Sequence, residues 1–328
     1  MTSKKPHCVI TLDGSTVAVV SPTTEILVSL FSAGLWSDPA DISLADYPNT
    51  DQQVDWTIHV TEASRPALNV DQTERSVHLQ LPWPDGFAML RALIRQTLER
   101  CNQENGIYRL HASAIQLRGN VQVFAGGSEA GKTSIALDAW RKLDARLLAN
   151  DRLTLRDGPH GPEWYGGDRS VNFRAGSLAR VAPDLLSAVF GSSRAQGFDT
   201  RARLDLASID PSYSTVPPYT PVDLVALIRL DAGSDELRIK HVTTACQDIE
   251  PRRKLFEHLS ARIRGSEILP VHDNGEIWLE MPIVNFDTSQ LFARRVKFVD
   301  KLWQSGVLVE MAGPLTLIRS WLSSRNNQ

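Results

Sequence analysis

The sequence predicts an α/β protein in which a small α+β unit precedes a larger mixed-sheet core, and three observations carry that prediction. Apolar, β-branched alternation broken by turn residues fills much of the first hundred positions. From Ile107 onward short strands and helices follow one another closely. Within that second stretch Gly126-Gly127-Ser128-Glu129-Ala130-Gly131-Lys132-Thr133 joins an apolar strand to an amphipathic helix.

Residues 7–12 and 15–20 read as two strands, and Asp13-Gly14 between them is a hairpin turn of the kind that needs positive φ. Ile26, Leu27, Leu30 and Phe31 fit a short helix within Thr24–Leu35. Alternation returns at Trp56, Ile58 and Val60 and again at Val77, Leu79 and Leu81. Phe87, Leu90, Ile94, Leu98 and Cys101 recur at helical spacing, and Asn105-Gly106 supplies the stop. The first domain is therefore expected over residues 1–104 and the second over 105–328.

The second domain opens with a strand from Ile107 to Leu117, the turn Arg118-Gly119-Asn120, and a strand through Val121, Val123 and Phe124 into the glycine-rich segment. A helix to Leu143, a strand at 146–149, the polar break Asn150-Asp151-Arg152 and a strand at Leu153 follow. Further strands are expected at 222–230, 237–242 and 276–281, with helices at 251–263 and 289–303. Pro211 to Pro221 reads as a loop.

Composition narrows the function classes. With 35 Lys+Arg against 38 Asp+Glu the net charge is −3, without the clustered basic surface that nucleic acid or an anionic membrane requires. No uncharged apolar run approaches the length of a membrane span. Cys8, Cys101 and Cys246 form no C-x-x-C pair, and no apolar signal stretch follows the start, so a cytoplasmic protein is expected. Phe292, Val296, Val299 and Trp303 form a helical stripe suited to core packing, with a homo-oligomer contact left open.

The glycine-rich segment satisfies G-x-x-x-x-G-K-[ST], which chance produces in about one chain per hundred of this length. Its position between strand and helix lets backbone N–H groups converge on phosphate oxygens. Nucleotide contacts are expected from Gly126, Gly127, Ser128, Glu129, Ala130, Gly131, Lys132, Thr133 and Ser134, with Glu129 facing solvent. Lys132 would sit on the β/γ-phosphates, and the Thr133 hydroxyl would ligate Mg²⁺. Asp151 returns to the carboxyl end of a strand expected beside the loop strand, where it could hold the metal or accept a proton. His111 precedes the loop by one hairpin, and spacing alone favours a core or supporting role.

Leu110-His111-Ala112-Ser113-Ala114, the Gly119 turn, the phosphate loop with its helix, and Leu147-Leu148-Ala149-Asn150-Asp151-Arg152 together resemble the catalytic domain of the HPr kinase/phosphorylase family, which is itself similar to the core of phosphoenolpyruvate carboxykinase. The resemblance covers residues 107–156. It implies a mixed-sheet phosphate-loop kinase core, ATP and Mg²⁺ as cofactors, and roles for His111 and Asp151 in proton transfer and metal binding. Where the family carries a first aspartate, this chain has Asn150, and an amide cannot take the acceptor's proton. Asp151 then does both jobs, or His111 is the base.

Beyond residue 156 the likeness is faint. A segment from Glu163 through Asp168 and Arg169 to Arg174 is similar to a glycine-containing stretch of the family. It implies that Arg174 and Arg169 steady a phosphate or substrate and that Glu163 or Asp168 adds a metal ligand. The P-V-R-P-G-R-N signature of HPr kinases themselves is absent. The expectation is a kinase that transfers the γ-phosphoryl group of ATP to a hydroxyl, on a small-molecule alcohol in preference to a peptide or protein serine. A nucleotide-binding regulatory module with little transfer is the alternative.

Overall fold

The computed structural model describes residues 6–12, 14–33, 41–46, 54–84, 86–167, 170–190, 197, 200–209, 216–242, 249–264 and 285–325. It is a mixed α/β protein whose chain divides into two compact units, 1–106 with 260–294, and 107–259 with 295–328. The division is thus not one cut near residue 105. Ile263, Phe286 and Leu291 share a core with the N-terminal strands, which draws their segment into the first unit.

In the first unit β1 (Pro6–Leu12), β2 (Ser15–Val20), α1 (Thr24–Ala33), β3 (Asp41–Asp46), β4 (Trp56–Glu62), β5 (Ala67–Asp71), β6 (Ser76–Leu81) and α2 (Phe87–Glu104) follow in order. The six strands form a mixed sheet, β3-β1-β2-β4-β6-β5. Val17, Val19, Ile58, Val77 and Leu79 alternate inward and meet Leu90, Ile94 and Leu98 of α2. Gly14 closes the expected hairpin at φ 79°, and Asn105 with Gly106 at φ 72° ends α2. Cys8 and Cys101 are buried free thiols in this core, and burial pushes the Cys8 thiol up to about 12. Cys246 lies outside the described residues.

The second unit contains β7 (Ile107–Leu110), β8 (Ala112–Leu117), β9 (Asn120–Ala125), α3 (Lys132–Lys142), β10 (Arg146–Ala149), β11 (Leu153–Gly158), β12 (Gly161–Gly167), β13 (Ser170–Arg174), α4 (Ala175–Val181) and α5 (Pro183–Phe190). Then come β14 (Arg201–Asp205), α6 (Leu206–Ile209), β15 (Thr220–Leu230), β16 (Arg238–His241), α7 (Glu250–Ser260), α8 (Ser289–Gln304), β17 (Leu308–Gly313) and α9 (Leu315–Arg325), with α8 beginning in the first unit. Nine strands form one curled mixed sheet with the path β10-β8-β9-β15-β12-β11-β7, extended by β17 on β15 and by β16 on β17. One face carries Ile115, Phe124 and Leu224 against Ile135, Leu178 and Ile318 of the helices, and the other carries Val123 and Val225 against Leu255, Phe298 and Leu302.

Two expectations are corrected here. The apolar run 107–117 is two strands, because the sheet turns a corner at His111: β7 pairs with β11, whereas β8 pairs with β9 and β10. The neighbour of β10 is β8 and not the loop strand β9, but β8 runs antiparallel to both, so β10 and β9 still end at the same sheet edge. The strand expected at 276–281 lies outside the described residues, as do residues 211–215 of the expected 211–221 loop, whose last two residues already belong to β15. No helix among the described residues is long and apolar enough to cross a membrane.

Candidate functional site

The glycine-rich loop is shaped by its contact with β15. That strand runs parallel to β9, so both end at the loop. At Gly126 a Cβ would stand 2.8 Å from the Ile228 carbonyl oxygen, and at Gly131 it would overlap the Leu230 side chain. Gly131 also has φ 95° and forms the N-cap of α3. Leu230 N–H donates to Ala130 O at 2.9 Å, which fastens the loop to the strand end. The first intrahelical bond, Ile135 N–H to Gly131 O at 3.0 Å, leaves the N–H groups of Lys132, Thr133 and Ser134 without intrahelical acceptors. They and the positive end of the helix dipole form an anion seat.

Lys132 curls back over the loop, its Nζ donating to Gly126 O and Gly127 O at 2.9 Å each. Burial holds its ammonium below the usual lysine range, and the nearby Asp151 charge opposes that effect. Glu129, at φ 63°, is largely solvent-facing as expected, yet its Oε1 accepts from Arg174 Nη1 at 2.7 Å.

Two sheet corners meet at the loop's edge. Ala112 is in register with Ala125, the last residue of the loop strand, so His111 emerges beside the loop. Its ring is half exposed and not part of the core, and Nδ1 lies 3.0 Å from Asp151 Oδ1. A carboxylate only accepts, so Nδ1 carries the proton in this contact, and Nε2 is the nitrogen left to face a ligand. Asp151 occupies the turn between β10 and β11 at φ 89°, a conformation that costs a non-glycine residue about 1–3 kcal/mol and that clusters at functional sites.

Asn150 beside it is buried, and its Oδ1 accepts from Ser113 Oγ at 2.6 Å and from Thr133 Oγ1 at 2.8 Å. The amide thus fixes the direction of the Thr133 hydroxyl: its hydrogen points at Asn150, and its lone pairs remain for another partner. Gly167 lets β12 pass this corner closely, since a Cβ there would stand 2.5 Å from that of Ala149.

These parts line one cleft of about 520 Å³. His111, Ser128, Glu129, Gly131, Lys132, Thr133, Ser134, Asn150, Asp151 and Arg174 all face it, whereas Gly126, Gly127 and Ala130 form the loop's other flank. Arg169 and Asp168 lie outside the described residues. Glu163, on β12, is not among the described residues of the cleft. On α7, Arg252 is ion-paired with Asp300 and Arg253 with Glu250. Five cleft residues escaped sequence reasoning: Gly176, Ser177 and Arg180 of α4, and Leu230 and Ala232 at the end of β15. Nothing local in the sequence marked α4 as part of a site or said which way it faces.

No protein-family model matches this chain, and no curated protein matches it. Among the described residues no three His, Cys, Asp or Glu side chains gather into a metal-holding group. That donor set still fits Mg²⁺ bound with a nucleotide, which needs only one or two protein oxygens beside phosphate and water; Thr133 and Asp151 offer them.

Proposed function

We propose that this protein is an ATP- and Mg²⁺-dependent kinase that transfers the γ-phosphoryl group to an acceptor hydroxyl, on a core of HPr kinase and phosphoenolpyruvate carboxykinase type. One observation carries the reading. The phosphate loop, the hydroxyl that Asn150 orients and the His111–Asp151 pair line the same cleft.

Mg²⁺, when bound, neutralises charge on the transferring group. The chain's residues do the rest. The amides of the loop and the first turn of α3 hold the phosphates, and Lys132 exchanges the carbonyls of Gly126 and Gly127 for phosphate oxygens. Thr133, its hydrogen committed to Asn150, turns lone pairs to the metal, and Asp151 supplies a carboxylate oxygen. The acceptor's proton goes to Asp151 directly, or to His111 Nε2 while Asp151 stabilises the imidazolium.

The test is phosphoryl transfer from Mg-ATP by the full chain. Asp151→Asn should lower kcat by about 10²–10⁴ and leave ATP affinity nearly unchanged. A comparable loss in His111→Ala assigns the proton to Nε2, and a small one assigns it to Asp151. The second reading, a nucleotide-occupied switch without transfer, is favoured by Asn150, a neutral amide where the resemblance expects a carboxylate. Tight Mg-ATP binding without transfer to any acceptor, together with wild-type behaviour of Asp151→Asn, would replace the kinase with the switch.

A further inference from the structure

The cleft holds three cations, Lys132, Arg174 and Arg180, and two carboxylates, Glu129 and Asp151. Lys132 is engaged by the loop carbonyls and Arg174 by Glu129. Asp151 is engaged by His111. Arg180 is exposed on α4, and no carboxylate among the described residues pairs with it. A nucleotide seated on the loop is already served by the amides, Lys132 and the metal, so Arg180 is a cation in excess of that need.

Its setting is specific. Gly176 and Ser177 precede Arg180 by four and three residues, so the three share one face of α4, and all three line the cleft. Gly176 has no side chain and Ser177 a short one, which leaves space in front of the guanidinium, and the Ser177 hydroxyl can donate or accept. Leu230 and Ala232 at the end of β15 also line the cleft. At about 520 Å³ the cleft lies in the range of small-ligand sites, and part of it goes to the triphosphate. What remains suits a compound of a few carbons.

Resting on the kinase reading, we propose that the acceptor is a small hydroxyl compound carrying a phosphate or carboxylate group, which Arg180 holds at the Gly176–Ser177 face while the hydroxyl meets the His111–Asp151 pair. Guanidinium presents paired donors that match either anion and stays charged at every working pH.

The experiment uses the full chain with Mg²⁺ and a non-hydrolysable ATP analogue, and titrates three probes that differ in one group: glycerol, glycerol 3-phosphate and glycerate. At least one anionic probe should bind about tenfold or more tighter than glycerol, and which one does so separates phosphate from carboxylate recognition. Arg180→Gln should erase that advantage while the affinity for the analogue stays within about twofold, and Arg180→Lys should restore part of it. Because Arg180 is exposed, the variants are expected to fold, and an unchanged melting curve checks this. Equal binding of all three probes, or an anionic preference that survives Arg180→Gln, overturns the inference alone. Failure of the wild-type chain to bind the analogue overturns the kinase reading and the inference with it.

Discussion

Replacing Lys132 by methionine separates what the ammonium does for the fold from what it does for a ligand. The side chain is mostly buried, and burial depresses its pKa, so the folded protein holds the charge less favourably than water does. Its two acceptors are backbone carbonyls, and Gly127 is exposed enough for water to replace the ammonium there. Lys132→Met should therefore leave the unliganded protein as stable as before, or slightly more so. Nucleotide binding should suffer, because the loss of a charge partner in a partly desolvated site costs about 2–4 kcal/mol, or about 30- to 1,000-fold in Kd.

The assay is thermal unfolding with and without Mg-ATP at about one hundred times the wild-type Kd. The wild type should gain about 2.7 kcal/mol from ligand, and a variant with Kd raised about 30-fold should gain about 0.9 kcal/mol. For a unit of this size that contrasts a shift of about 5–10 °C with one below about 4 °C. The pH dependence has a definite sign. Between the depressed folded pKa of Lys132 and its unfolded value of 10.5, the unfolded chain binds more protons, so stability from this group rises with pH in that window. The wild-type-minus-variant difference should show that rise. A variant that retains the ATP-induced shift, or that unfolds several degrees below the wild type without ligand, would refute the assignment of Lys132 to phosphate.

Asn150→Ala should leave the Ser113 and Thr133 hydroxyls without their acceptor, lower stability by about 2–4 kcal/mol and raise the Mg²⁺ concentration for half-maximal turnover, whereas Asn150→Asp should lower it. Metal titrations of turnover check both. Gly131→Ala should cost about 2–4 kcal/mol, from a positive φ and a clash with Leu230, and should remove ATP binding together with that stability. Denaturant unfolding with and without Mg-ATP measures both effects.

The parts of this fold visible in the sequence are those that local pattern decides. The β1–β2 hairpin, α2 with its Asn105-Gly106 stop, and the β9-loop-α3 unit all rest on periodicity and turn chemistry within about twenty residues. What stayed hidden depends on long-range packing. The strand β5 is only five residues long and no residue of it is fully buried, so its short alternation at Leu68 and Val70 gives little signal, and β17 takes its place by pairing with β15 and β16, far back in the chain. The break at His111 is invisible because residues 107–117 are apolar on both sides of it, so only the change of partners reveals a corner. For the same reason spacing alone leaves His111 between a core and a supporting role, and the structure places its ring in the cleft beside Asp151; the direction of α4, and with it Arg180, is set by tertiary packing.

The two corners also bear on Asn150. Had an aspartate stood there, the Ser113 and Thr133 hydroxyls would both still have an acceptor, so the hydrogen-bond geometry alone does not require an amide. What the amide changes is charge. A second carboxylate next to Asp151, in a buried position, would repel it and be costly to ionise without a metal. With Asn150 the corner carries one negative charge, paired with His111, and stays compact without a cation. On the kinase reading, a cation would then enter a site whose hydroxyl is already aimed but whose charge is half that of a two-carboxylate corner. Metal affinity from protein groups should accordingly be weak, and Mg²⁺ should arrive with the nucleotide. That order distinguishes this cleft from one built on two carboxylates, where the metal could bind first.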